Sequence, residues 1–477
     1  MRWACILLPQ LALDGVLRRR ADPEAPLALV SGARQRRLLH VVNPAARALG
    51  WRRGMALAAA QALAQGVETL DYDPGEEARW HRFLAAWAYR FSSQVSMRYP
   101  HALIVEIAGS LGLFGPWPRF EARLRAELAA LGFGHRIVAA PGPVAARALA
   151  NAHDGLAVEG GAELRRELAR LPVQRAGFAP EAATAFARMG LRTLGQVLAL
   201  PRESIARRFP PGVLCHVDAL VDGAGVALDW YRPPDRFAMR IELGYEVESS
   251  QALLFPLRRL TADLAAFLAG RDGGVQRFVL RLEHERRADT AVPVGLLAPE
   301  REAALLFELA RGRLQQARMP AAVRALALVA DELPAFVPAH RELFDERPQQ
   351  AMPWEQLRER LRARLGEHAV HGLSVHEDHR PEQAWRGESV QAVKPPRHPL
   401  PAAAMPARPG WLLRAPVPLR GAPPRTLGGC ERIESGWWDG DDIRRDYRVV
   451  QLRSGQRAWV YRQPGGEGGD WLQGWFA

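Results

Sequence analysis

Lysine is almost absent: Lys394 is the only one among 64 basic residues, and the rest are arginine. A P-loop needs a lysine that reaches the phosphates, so that class of nucleotide enzyme is excluded. Schiff-base chemistry lacks its amine as well. Cysteine is scarce. Cys5, Cys215 and Cys430 are far apart and odd in number, which fits neither a disulfide framework nor a zinc knuckle and agrees with a reducing cytoplasm. No apolar run reaches the roughly eighteen residues of a membrane span. The opening MRWACILLPQLALDG lacks the small-residue cleavage site of a signal peptide, and its apolar run fits a first buried strand.

What is abundant is positive charge. The net charge is +12 with a pI near 10.5, which points to phosphate-bearing partners. A GC-rich genome favours arginine over lysine but does not explain the excess over acids. That excess is uneven: residues 1–60 carry +7, whereas residues 236–335 carry +1. A basic face is therefore expected around Arg18, Arg19, Arg20, Arg34, Arg36, Arg37, Arg52 and Arg53.

At 477 residues the chain exceeds one hydrophobic core, and about two to four domains are expected. Over residues 1–165 strands alternate with helices, which predicts an α/β or α+β domain. WACILL, LALVSG, RLLHVV and HRIVAAP read as strands. NPAARALG opens a helix with Asn43 as its cap and Pro44 at its first position. WPRFEARLRAELAALG is an amphipathic helix stopped by glycine. Residues 166–232 read as all-helical. Residues 236–335 read as a βαββαβ unit with a four-stranded antiparallel sheet. A Pro/Ala-rich linker covers 391–410, and 411–477 looks like a small β-rich module.

This order of domains resembles the Y-family DNA polymerases. VVNPAARALGWRRGM is similar to their fingers motif S-Y-E-A-R-x-x-G-[VI]-x-x-G-M, APGPVAARALA to the palm motif A-P-N-K-x-x-A-K, and MGLRTLGQV to the thumb motif G-I-x-T-[IV]-G-D-L. The tail segments LRARLGEHAVHGLSVHEDHRPEQAWR and ERIESGWWDGDDIRRDYRVVQLRSGQRAWVYR resemble ImuB proteins, polymerase-like members of a bacterial damage-induced mutagenesis cassette. The resemblance implies a multidomain α+β fold: palm and fingers over 1–165 (fingers about 30–70), a helical, helix-hairpin-helix-like thumb over 166–232 and a βαββαβ little finger over 236–335. A tail with a clamp-binding peptide follows over 336–390, then the linker, then a C-terminal partner-binding module over 411–477.

A working family member needs an Asp on the first strand and an Asp-Glu pair on a later one. Together they hold two magnesium ions. Two divalent cations about 4 Å apart repel by roughly 17 kcal/mol at an effective dielectric of 20, and only clustered carboxylates offset that. In YPHALIVEIAGSLGLFG, with Gly109 as anchor, the pair falls on His101 and Ala102, and the later, structural acid falls on Glu106. Glu106 is expected as a solvent-facing strand-edge acid. The first-strand Asp falls on Ile6, Leu7 or Leu8, with Leu7 as the central choice, and Asp14 comes several residues too late. Histidine is a poor ligand for a hard cation. The fingers Tyr becomes Pro44 while Arg47 matches the motif's Arg; the palm lysines become Pro143 and Arg147. The resemblance therefore implies an inactive polymerase homologue with no cofactor and no metal. The rival reading is a weakly active translesion polymerase with displaced carboxylates.

DNA binding needs no metal. Arg47, Arg52 and Arg53 are candidate phosphate contacts, as are Arg192, Thr193, Arg207 and Arg208 near the turn bracketed by Gly190 and Gly195. HRELF resembles a Q-x-x-L-F sliding-clamp peptide, with His340, Leu343 and Phe344 as its anchors. Trp437, Trp438 and Asp439 are candidate partner contacts; in a strand the two tryptophans would point to opposite faces. The partners implied by resemblance are DNA, the sliding clamp (beta), an ImuA-type RecA-like protein and an error-prone DnaE-type polymerase, in the cytoplasm and at the nucleoid after damage. His368, His371, His376 and His379 have no standard metal spacing, and the G-x-x-G-x-x-G of Gly109, Gly112 and Gly115 lacks a nucleotide-binding context.

Overall fold

A computed structural model describes residues 2–20, 22–33, 36–222, 226–336, 354–366, 369–388, 408–421, 424–465 and 469–476. The chain divides into two compact units, 1–351 and 352–477.

In the first unit the strand Trp3–Leu7 is the second of a four-stranded antiparallel sheet, between Ala102–Glu106 and Arg136–Ala140, with Val95–Ser96 outside. Every residue of Trp3–Leu7 and of Ala102–Glu106 is buried. That explains the apolar runs of Trp3–Leu7 and of residues 102–105, since a strand covered on both faces has no polar alternation. Helix Pro143–Ala150 and the helices of 161–222 share one core with Cys5, Leu7, Ala102 and Ile104. Burial pushes the Cys5 thiol up to about 12, so it is inert.

A smaller sheet joins Leu38–Val42, Leu27–Ser31 and Glu68–Asp71. Its helix Pro44–Ala48 starts as the sequence predicts: Asn43 Oδ1 accepts the Ala46 N–H at 2.9 Å. The region after 160 is helical, with helices Gly161–Arg170, Pro180–Arg188, Leu194–Leu198, Arg202–Arg208 and Pro211–Asp222.

The predicted βαββαβ unit is present. Its sheet runs Thr290–Glu300, Val275–Glu283, Val323–Glu332, Phe237–Val247, all antiparallel. Helices Leu254–Gly270 and Ala303–Gln316 pack together. Leu254–Gly270 also packs on helix Pro74–Ala88, so tightly that a Cβ on Gly270 would collide with the Ala86 carbonyl oxygen.

In the second unit the strands of 411–475 form one sheet, in the order Trp411–Pro418, Trp471–Trp475, Arg457–Arg462, Ile443–Gln451, Arg425–Thr426, with Glu431–Ser435 also on Ile443–Gln451. Tyr447 is fully buried and stacks on Trp459 at 4.1 Å. The hairpin of Gly372–Val375 and Trp385–Glu388 belongs to the same unit, and Glu382 of its connection bonds Arg445 at 2.9 Å.

Candidate functional site

The end of Trp3–Leu7 meets the start of Ala102–Glu106 at the positions that motif spacing singles out. Leu7 lies opposite Ala102, and the Leu8 N–H donates to the His101 carbonyl at 2.7 Å. Leu7 and Ala102 are in the apolar core. His101 is not part of the strand; it sits in the turn before it with a left-handed φ of 54°, a conformation that histidine tolerates better than most residues. The sequence thus brings these three positions together, with none of the oxygen ligands that magnesium prefers. The donor set does not fit a magnesium pair.

The carboxylate that does approach is one the sequence reading missed. Glu77, in the first turn of helix Pro74–Ala88, accepts the Tyr72 hydroxyl, and its Oε1 lies 2.8 Å from His101 Nδ1. Its side chain is only 11% exposed. Tyr72 stacks on His40 at 3.8 Å. Burial and then the nearby Arg53 charge hold His40 below the usual imidazole value. Burial also lowers His81, whose Nε2 lies 2.9 Å from the Ala102 carbonyl. A D-P-G-E-E helix start announces an N-terminal cap, not a site, so nothing in the sequence singled out Glu77.

The other acids are occupied elsewhere. Glu106 does not face solvent as expected: it is buried at the far end of its strand, opposite Trp3, and accepts the Ala108 N–H at 2.8 Å. Asp14 accepts the Gly134 N–H at 2.9 Å, and burial lifts its carboxyl to about 6. Among the described residues no group of three or more His, Cys, Asp or Glu is placed to hold a metal ion.

The expected N-terminal basic face is only partly a face. Arg18 is buried in a pair with Asp263, while Arg19 is held by Glu76, Arg20 by Glu68 and Arg37 by Asp71. Arg34 lies outside the described residues. Arg36, Arg47, Arg52 and Arg53 are exposed and make no salt bridge among the described residues. Arg52 Nη1 donates to the Arg47 carbonyl at 2.6 Å, which fixes the two around one turn. Arg147 is half-buried near Tyr99, and its Nε has no hydrogen-bond partner among the described residues.

In the helical region Gly190 has a φ of 80° and ends a helix. Gln196 Oε1 accepts the N–H groups of Arg192 and Thr193, and Gly190 N–H goes to Ala187. Gly195 is a packing glycine: a Cβ there would come within 2.9 Å of the Ala169 carbonyl oxygen. Arg192, Arg207 and Arg208 are exposed around this element, with Arg207 3.7 Å from Glu203. On the βαββαβ sheet Arg240 is paired with Glu283 and Glu242.

His340, Leu343 and Phe344 lie outside the described residues, as does His368. Trp437 and Trp438 are not in a strand. They form a turn, 78% and 58% exposed, with rings edge to face at 5.5 Å. The alternation rule for strands therefore does not apply, and both face solvent. Asp439, next to them, bonds the buried Arg380, which also binds Asp378 and approaches Asp441.

Comparison with known proteins bears on this arrangement. The sequence model of the impB/mucB/samB family matches residues 16–151. Protein ImuB of Caulobacter vibrioides, in strains NA1000 / CB15N and ATCC 19089 / CIP 103742 / CB 15, is 28% identical over 462 residues, 89% of this chain and 99% of that protein. The chain is thus similar to protein ImuB along nearly its whole length and to the impB/mucB/samB family over residues 16–151. Among solved structures, an insertion ternary complex of Dbh DNA polymerase is 13% identical with a TM-score of 0.41, covering 70% of this chain and all of Dbh. DinB from Sulfolobus solfataricus is 12% identical with a TM-score of 0.40 over the same shares. No described helix of the chain is long and apolar enough to cross a membrane.

Proposed function

We propose that this chain is a non-catalytic, Y-family-like scaffold in damage-induced mutagenesis. It binds DNA and the sliding clamp and recruits an error-prone polymerase to damaged template. The observation that carries the reading is the Leu7–Ala102 pair beside His101, where a polymerase of this family would seat two magnesium ions. Filling those positions with apolar side chains removes the charge that offsets cation repulsion.

Binding to DNA rests on Arg47, Arg52, Arg53, Arg192, Arg207 and Arg208, all of them exposed. Such contacts to phosphate are sequence-independent and weaken steeply with salt. HRELF is the proposed clamp peptide. The Trp437–Trp438 turn, held in place through Asp439 and Arg380, is the proposed dock for a RecA-like or polymerase partner. The site of action is the cytoplasm and the nucleoid.

A paired assay on the purified chain tests this reading. Duplex and primed DNA should bind with a strong salt dependence, and the Leu343→Ala/Phe344→Ala variant should lose clamp retention while keeping DNA affinity. Retention on the clamp by that variant, or no DNA binding at low salt, would contradict it.

A further inference from the structure

The strand Phe237–Val247 is the outermost of its sheet. It pairs with Val323–Glu332 on one side, and among the described residues its other side makes no backbone hydrogen bond. An unpaired edge of eleven residues is a template for another strand. This one is not simply open to solvent. A groove of about 1450 Å³ runs along it, lined by every residue from Ala238 to Val247 except the buried Ile241. The opposite wall carries Arg19, Arg20, Leu70 and Trp80.

The two walls are tied together. Arg18, beside Arg19, makes a bidentate pair with Asp263 of helix Leu254–Gly270, and Phe255 and Pro256 of that helix line the groove. A buried ion pair therefore joins the elements on either side of the strand edge without any occupant.

Charge says what enters it. Of the lining cations, Arg19 is taken by Glu76, Arg20 by Glu68, Arg79 by Asp73, and Arg240 and Arg324 by Glu242. Asp22, Glu246 and Glu285 also line the groove and make no salt bridge among the described residues. The slot is thus net acidic within a strongly basic protein, which repels nucleic acid and attracts cationic side chains. Tyr245, 73% exposed, and Phe255, 49% exposed, offer apolar contacts along the same path. A second copy pairing edge to edge would set Glu246 against an identical acidic rim.

We propose that the free edge of Phe237–Val247 accepts an extended, basic segment of a partner protein as an added strand. Main-chain hydrogen bonds supply the register, and the acidic rim selects the charge. The inference does not depend on the chain's affinity for DNA.

The full-length chain and two fluorescein-labelled peptides of about ten residues test it, one alternating Arg with Val and the other Glu with Val. Fluorescence anisotropy should give binding of the Arg peptide at least about tenfold tighter than the Glu peptide. Amide hydrogen exchange should slow within 238–246 when the Arg peptide is bound. The exposed-site variant Glu246→Arg/Glu285→Arg should weaken the Arg peptide by about tenfold or more with an unchanged Tm. Equal affinity for the two peptides, protection elsewhere than 238–246, or full affinity in the reversed variant would overturn the proposal. So would a concentration-dependent dimer that protects the same amides without peptide, which would give the edge to a second copy.

Discussion

Arg18 and Asp263 are 245 positions apart and meet in a fully buried, bidentate ion pair with N–O distances of 2.5 and 2.9 Å. Arg18 also donates from Nε to the Leu131 carbonyl and lies over the rings of Trp80 and Phe133. Arg259 donates in turn to the Arg18 carbonyl. One side chain therefore joins the first helix, the end of helix Trp117–Leu131 and the βαββαβ unit.

Removing one partner leaves a buried charge uncompensated. Asp263→Ala is expected to cost about 3–5 kcal/mol, measured by urea denaturation of the full chain. The apolar double variant Arg18→Met/Asp263→Leu should recover most of that loss, because the remaining lone charge is gone. A cost below about 1 kcal/mol for Asp263→Ala would mean that the pair does not join the two parts.

Asp14 gives a pH dependence with a definite sign. Its folded-state value of about 6 lies above the ordinary 3.8. The stabilisation from its proton is fully present below the unfolded value and is lost as pH rises through about 6. Asp14→Asn, which keeps an acceptor for the Gly134 N–H, should leave Tm nearly unchanged near pH 4 and raise it above pH 7, by differential scanning calorimetry. A Tm gain largest at low pH would contradict this assignment.

Gly195 is expected to matter for packing. Gly195→Ala places a methyl 2.9 Å from the Ala169 carbonyl oxygen and 3.0 Å from its Cβ. Overpacking of this kind costs about 1–3 kcal/mol. Gly190, with open space around it but a left-handed φ, should lose about 1 kcal/mol or more as Ala through backbone strain. Thermal unfolding of the two variants separates these causes, since Gly190→Asn should be tolerated and Gly195→Asn should not.

The exposed Arg47, Arg52 and Arg53 should set the salt dependence of DNA binding. Arg47→Ala/Arg52→Ala/Arg53→Ala is expected to weaken duplex affinity for every sequence alike. The slope of log K against log salt should fall by about 0.9 for each phosphate contact removed. An unchanged slope in a filter-binding titration would remove these residues from the interface.

Local pattern carried most of the fold. The Asn43–Pro44 helix start, the glycine stop at Gly132 and the βαββαβ order were legible because caps, turns and periodicity act over a few residues. Motif spacing singled out Leu7, His101 and Ala102, and the sheet register sets them side by side. What stayed hidden is long-range or side-chain specific. No spacing rule pairs Arg18 with Asp263, so a buried arginine reads as part of a basic face. Glu77 reaches His101 only because helix Pro74–Ala88 lies beside the strand end. Opposite faces for the tryptophan pair were expected only in a strand, and the pair lies instead in a turn whose Asp439 bonds Arg380.

The central claim is that the palm-like centre cannot seat the ions of polymerase chemistry. Single-turnover primer extension with the chain in excess over primed template, in magnesium and all four nucleoside triphosphates, tests it most directly. DNA should be bound and the primer should stay at its starting length. Extension that appears with the purified chain and disappears in Glu77→Gln would contradict it, by making Glu77 a working ligand in place of the missing carboxylates.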